Sequence, residues 1–221
     1  MKSKEVTLFG ATGLIGSSIL EILINDIYFH KINIVTRNPF SLNHKKISVH
    51  VIDFSDTKAI SKTVRNSDIV YASIGTTQTK VKGDKKAYRK IDYDILFNIA
   101  KVCKENNVEN FSFVSSSGAA IKSKNFYLNL KGEIENSVLN LNLPSTSIFR
   151  PSLLLGKRKE IRFGEKIAQL IMPMLSFLMP SKYKPISAVF VARSMVNISK
   201  TVHPGSQVYH YKEIKYYTDQ T

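Results

Sequence analysis

The sequence predicts an α/β fold, a doubly wound parallel sheet with a small helical cap at its C-terminal end. Three observations carry this. Three glycines at 10, 13 and 16 sit between an apolar run and a helix-like run at the start of the chain. Short apolar segments then alternate with segments of helical spacing as far as residue 149. Strand-like runs such as 69–74 are nearly all apolar, as strands covered on both faces are.

Residues 5–10 read as the first strand, and Ile15, Ile19, Leu20, Ile22 and Leu23 recur at helical spacing until Asn25 and Asp26 end that helix. Strand two is 31–36, closed by the Arg37-Asn38-Pro39 turn; strand three is 47–52, with a short helix over 56–64. Strand four is 69–74. Tyr88, Ile91, Ile95, Ile99, Val102 and Cys103 mark one long amphipathic helix. Strand five is 110–115, a helix covers 126–141, Pro144 breaks it, and strand six is 146–149. Beyond Pro151 the alternation is lost, and 151–221 reads as a substrate-side cap: helices over 161–178 and 188–200 and one strand over 208–211. At 221 residues, with no internal repeat or linker, the chain is expected to form one domain.

In such a sheet a ligand lies beyond the carboxyl ends of the strands, so each end can be asked what it offers. The first turn offers Gly10, Thr12, Gly13, Leu14, Ile15 and Gly16, the layout of a dinucleotide diphosphate site. Gly10 permits the tight turn, Gly13 lets backbone N–H groups approach the diphosphate, and Gly16 lets helix and strand pack closely. Strand two ends in Arg37, with no carboxylate to hold ribose hydroxyls, which suits a 2′-phosphate and hence NADP (NADPH). Asp53 and Phe54 can meet the adenine, and Ser73 and Gly75 leave room for the cofactor.

Strand five ends in Ser115-Ser116-Ser117-Gly118, and Tyr127 and Lys131 follow four apart on one helix face. A phenol with a pKa of about 10 is a poor acid or base near neutrality, and a nearby ammonium stabilises its ionised form. A serine hydroxyl can hold a substrate carbonyl oxygen while the tyrosine gives or takes the proton.

At these segments the chain resembles the short-chain dehydrogenase/reductase family, in its atypical branch. The matching stretches are 10–16, 75–77, 91–92, 115–119, 127–133 and 149–152. The resemblance implies a Rossmann-type NAD(P)-binding fold, Tyr127 as proton donor or acceptor, Lys131 as its partner and a ribose contact, a strand-five serine as carbonyl anchor, and Pro151 and Ser152 near the nicotinamide. Because branches of the family place the anchor differently relative to the following glycine, Ser116 and Ser117 are named together. Asp92 stands where many extended members have Asn, which leaves its role open. The implied activity is NADP-dependent reduction of a small-molecule carbonyl substrate. An NADP(H)-binding regulatory or scaffold protein without turnover is the rival, and a nucleotide-sugar or isomerase-type member of the fold is a third reading.

The formal charge of +15 invites a polyanion partner, but the lysines are spread along the chain, so no specific nucleic-acid partner is expected. The densest run, Lys80, Lys82, Lys85, Lys86, Arg89 and Lys90, faces only Asp84 and reads as a solvated loop and helix start. If it binds something, its place in the chain suggests an anionic small ligand at the site mouth. The apolar stretch 167–179 contains Gln169, Pro173 and Ser176 and is shorter than a membrane span, so no transmembrane segment is expected. Its residues 171–179 read equally as an apolar substrate pocket, cap core, a homodimer contact or a shallow membrane-surface helix. The N-terminus runs directly into a strand without a visible signal peptide, and the lone Cys103 lies on an apolar helix face; both suit the cytoplasm. The five histidines lack ligand spacing, so no metal is expected.

Overall fold

The computed structural model describes residues 3–77, 79–156 and 180–220. The helix expected over 161–178 and the apolar stretch 171–179 lie outside the described residues.

β1 (Lys4–Phe9) enters the three-glycine turn and leads into α1 (Leu14–Asn25). β2 (Phe29–Thr36), β3 (Ile47–Val51), α2 (Thr57–Val64) and β4 (Ile69–Ala72) follow. Then come α3 (Lys85–Arg89), a π-helical turn (Lys90–Asp94), α4 (Ile95–Glu105), β5 (Asn110–Val114), α5 (Phe126–Leu139) and β6 (Ser145–Phe149). The C-terminal part holds β7 (Leu154–Leu155), a 3₁₀ turn (Ser181–Tyr183), β8 (Ile186–Ser187), α6 (Ala188–Ser199), β9 (Gly205–Tyr209) and α7 (Tyr211–Thr218).

The main sheet has seven strands in the order β3-β2-β1-β4-β5-β6-β9, all pairs parallel. Strand order reverses between β1 and β4, which opens a crevice at their carboxyl ends. Each face is covered by helices. Ile15, Ile19 and Leu23 of α1 meet Val191 and Met195 of α6 on one face. Ile60 and Val64 of α2, Ile99 and Cys103 of α4, and Ile134 and Val138 of α5 fill the other. Burial on both faces is why β4 reads as a continuous apolar run, while β1 and β2 are buried in their second halves, with the polar Thr7, Asn33 and Thr36 among the buried residues.

Several elements differ from the sequence reading, among them the unexpected α7 and the short β7–β8 pair. β4 stops at Ala72 rather than 74: the Ser73 N–H still bonds the Phe9 carbonyl at 3.0 Å, after which the chain leaves the ladder. The helix expected over 88–103 is interrupted by the π turn, where the Ile95 N–H reaches back five residues to the Lys90 carbonyl. The extra residue rotates Asp92 inward, so a carboxylate and the apolar residues Tyr88, Ile95 and Ile99 are all buried. The C-terminal part is helical, as expected, but the strand placed at 208–211 is β9 and joins the main sheet beside β6. Its first four residues are exposed, as befits an edge strand, and that polarity hid its start.

Candidate functional site

The chain turns out of β1 through Gly10 at φ +88°, a region closed to most side chains. A Cβ on Gly10 would lie 2.7 Å from the Ser73 carbonyl oxygen, and one on Gly16 would lie 2.0 Å from that of Gly10. The turn closes with the Gly13 N–H on the Gly10 carbonyl at 2.9 Å. Gly13 then caps α1 without a side-chain acceptor, and the first turn of α1 carries no carboxylate. Its free N–H groups and the helix dipole therefore suit an anion from outside the chain. Thr12 is exposed beside them. Leu14 packs so closely on Gly156 that a Cβ there would come within 2.8 Å of it. Ile15 is a core residue, so only its backbone faces this turn.

At the ends of β2 and β3 the Arg37 guanidinium lies over the Phe54 ring, 5.8 Å from its centre. Both line a cavity of about 260 Å³ with Asp53, Ser55, Lys90 and Ile91. Asp53 accepts the Ser55 N–H at 2.9 Å, and that bond, with the charge of Lys90, holds its carboxyl below the usual range. The cavity thus offers an aromatic wall and two cations, one from β2 and one from the π turn. Lys90 was not singled out by the sequence, where it is one of six basic residues in a run read as solvated. A larger cavity, about 530 Å³, lies where the C-terminal half of α1 meets α6, lined by Glu21, Ile22, Asp26 and Arg193 among others. That is the amino end of the strands, away from the glycine turn.

The densest polar arrangement lies between β4, the π turn and α5. Asp92 and Lys131 are 2% and 3% exposed, and their Oδ1 and Nζ atoms are 2.8 Å apart. The other Asp92 oxygen accepts the Thr76 N–H at 2.8 Å, which fixes the loop after β4 beside Gly75. Burial alone would push the Lys131 ammonium down; the charges of Asp92, Tyr127 and Glu135 outweigh it and hold it above its ordinary value. Nζ stands 5.9 Å from the centre of the Tyr127 ring. Tyr127 is half-buried and edge-on to Tyr88, and its hydroxyl makes no hydrogen bond among the described residues.

The strand-five hydroxyls differ in what they touch. Ser115 is buried, without a side-chain partner among the described residues. The half-buried Ser116 makes only a long 3.4 Å contact with the Ser117 carbonyl. Ser117 donates its hydroxyl to the Lys182 carbonyl at 2.7 Å and its N–H to the Pro151 carbonyl at 2.9 Å. The loop onward to α5 is held by the Ala120 N–H on the Leu128 carbonyl at 3.1 Å and by Gly132, where a Cβ would come within 2.3 Å of the Ala120 backbone. This close crossing brings the loop after the serines against the helix carrying Tyr127 and Lys131.

One turn after Lys131, the buried Glu135 receives a two-pronged bond from Arg150 at the end of β6. The next residues, Pro151 and Ser152, bind the 180–187 segment: the Ser152 hydroxyl donates to the Lys184 carbonyl and the Ile186 N–H to that of Leu153. The structure therefore gathers Tyr127, Lys131, Asp92 and Gly75 through direct contacts and ties Ser117, Pro151 and Ser152 into one neighbourhood. Arg37, Asp53 and Phe54 form a separate pocket at the ends of β2 and β3. The Asp92–Lys131 and Arg150–Glu135 pairs went unread because their partners are 39 and 15 residues apart. A metal-ligating cluster is absent among the described residues.

A family model described as NAD(P)H-binding matches residues 10–156. The chain belongs to this family. Protein HTATIP2 of Rattus norvegicus is 30% identical over 209 residues, which cover 93% of this chain and 84% of that protein. A protein named FMP52, mitochondrial, of Candida albicans is 34% identical over 169 residues, 74% of this chain and 73% of that one. These likenesses place the chain in the atypical short-chain dehydrogenase/reductase branch with HTATIP2. In fold it is similar to a UDP-N-acetylglucosamine 4-epimerase from Methanobrevibacter ruminantium M1, with a TM-score of 0.73 at 19% identity, over 95% of this chain and 77% of that one.

Proposed function

We propose that this NAD(P)-binding, oxidoreductase-like chain is an NADP-dependent reductase of a carbonyl compound. The first-turn amides of α1 hold the diphosphate, Arg37 and Lys90 the 2′-phosphate, and Phe54 and Asp53 the adenine. When bound, the reduced nicotinamide supplies the hydride. Tyr127 passes its hydroxyl proton to the substrate carbonyl oxygen, which becomes the alcohol, and recovers a proton from solvent. Lys131, held in its charged form, stabilises the tyrosinate left behind, and Asp92 fixes the ammonium. Ser116, whose hydroxyl is the less committed of the pair, donates to the same carbonyl oxygen.

The observation that carries this reading is the Tyr127 hydroxyl, without a hydrogen-bond partner among the described residues, on a helix whose next turn holds a buried, charged lysine. Tyr127→Phe tests it. Carbonyl-dependent NADPH oxidation should fall by at least about 100-fold, with NADPH affinity unchanged within about twofold. An undiminished rate would overturn the assignment.

A second reading, an NADP(H)-binding regulatory or scaffold protein without turnover, is favoured by two contacts. Asp92 already neutralises Lys131 at 2.8 Å, and Ser117 donates its hydroxyl to the chain's own Lys182. Tight NADPH binding with no turnover of any compound in a broad carbonyl panel is the result that selects it.

A further inference from the structure

We propose that the substrate of this site is an anionic carbonyl compound, one bearing a phosphate or carboxylate group, received by a collar of lysines on the segments around Tyr127. This rests on the reductase reading above and names the substrate class for it.

The collar comes from three segments far apart in sequence. Residues 79–89, 118–125 and 180–187 together contain nine Lys or Arg and one Asp, so 27 residues supply eight of the chain's net +15 charges. Each segment is tied to the reacting groups. In the first, Tyr88 packs edge-on against both Phe126 and Tyr127, at 5.9 and 6.1 Å, and the Lys85 ammonium lies 5.4 Å from the Phe126 ring centre. The second, carrying Lys122 and Lys124, bonds to the first turn of α5 through the Ala120 N–H and Leu128 carbonyl. The third, with Lys182 and Lys184, receives the hydroxyls of Ser117 and Ser152 on those two lysines' own carbonyls.

Two acids beside this collar, Asp84 and Glu133, are engaged among the described residues. Asp84 caps α3 by accepting from the N–H groups of Lys86 and Ala87. Glu133 pairs with Arg89 at 2.6 Å. Lys85, Lys86, Lys122, Lys124 and Lys182 are exposed. A solvated helix face would intersperse both signs. Here charge of predominantly one sign is carried by three segments that pack beside Tyr127 and the strand-five serines, an arrangement that concentrates anions there. Lys90 faces the Arg37 cavity instead, so cofactor and substrate draw on different cations.

Dihydroxyacetone phosphate and dihydroxyacetone serve as matched probes, titrated calorimetrically into the NADPH-loaded protein, with NADPH binding measured separately. The phosphorylated compound should bind at least about tenfold tighter, weakening steeply with added salt. Lys85→Gln/Lys122→Gln/Lys124→Gln should abolish that preference and leave the NADPH affinity within about twofold. The control Lys45→Gln/Lys58→Gln/Lys62→Gln removes equal charge at exposed positions outside the three segments and should preserve the preference. Equal binding of the two probes, or equal loss in both triple variants, would overturn the collar while leaving the reductase reading intact. Absence of NADPH binding would instead strike that reading. Length-dependent binding of a single-stranded oligonucleotide that displaces the phosphate probe would overturn the small-molecule assignment.

Discussion

Replacing Asp92 by Ala removes the only charge partner, among the described residues, within bonding distance of a lysine that is 3% exposed. Such a buried ammonium, stripped of its counter-charge, costs about 3–5 kcal/mol. In a chain of this size each kcal/mol is worth about 2–4 °C of melting temperature, so Asp92→Ala should melt about 6–20 °C lower near neutral pH. The Thr76 N–H loses its acceptor as well. Asp92→Asn keeps an acceptor for that amide and should recover part of the loss.

The pH dependence separates the charge from the packing. In the parent the folded-state pKa of Lys131 lies above its unfolded value. Its contribution is therefore fully present below about pH 10.4 and is lost only as pH rises through the folded value. In Asp92→Ala, burial drives the lysine the other way, so the unfolded state binds more protons and stability climbs as pH rises toward the unfolded pKa. Thermal melts of parent and both variants from pH 6 to 9.5 measure this directly. The reasoning is refuted if Asp92→Ala melts within about 1 °C of the parent, or if its deficit is constant over that range.

Two further outcomes follow from the same contacts. Gly132→Ala places a methyl group against the Ala120 backbone and should lower stability by at least about 1–3 kcal/mol; an unchanged urea midpoint would show that the loop after the serines is not held by that crossing. Cys103 is fully buried, and burial pushes its thiol well above the usual range, so a thiol reagent at pH 8 should leave the native protein unmodified and react with one equivalent after unfolding; rapid native labelling would contradict the packing of α4.

Local rules made much of the fold legible. The glycine turn needs backbone conformations and clearances that few sequences supply, and β4 is apolar throughout because both sheet faces are covered there. The unread parts depend on contacts between distant segments. An aspartate in an amphipathic stretch looks like the solvent side of a helix; only the π turn, invisible in the spacing of Tyr88, Ile91 and Ile95, brings Asp92 to Lys131. Ser116 and Ser117 are indistinguishable as letters, and their difference arises from a carbonyl 65 residues beyond Ser117. β9 is an edge strand of mostly exposed residues, so periodicity showed its end and not its place in the sheet. Lys90 became distinct from its basic neighbours only through its position in the Arg37 cavity.

The central claim is that the pocket of Arg37 and Lys90 selects a coenzyme carrying a 2′-phosphate above the glycine turn. Fluorescence titration of NADPH against NADH, on the parent and on Arg37→Ala/Lys90→Ala, tests it. Charge-assisted bonds worth about 1.5–3 kcal/mol imply NADPH binding at least about tenfold tighter in the parent. In the variant that preference should vanish while NADH affinity holds. Equal affinities in the parent, or a preference that survives the loss of both cations, would contradict it.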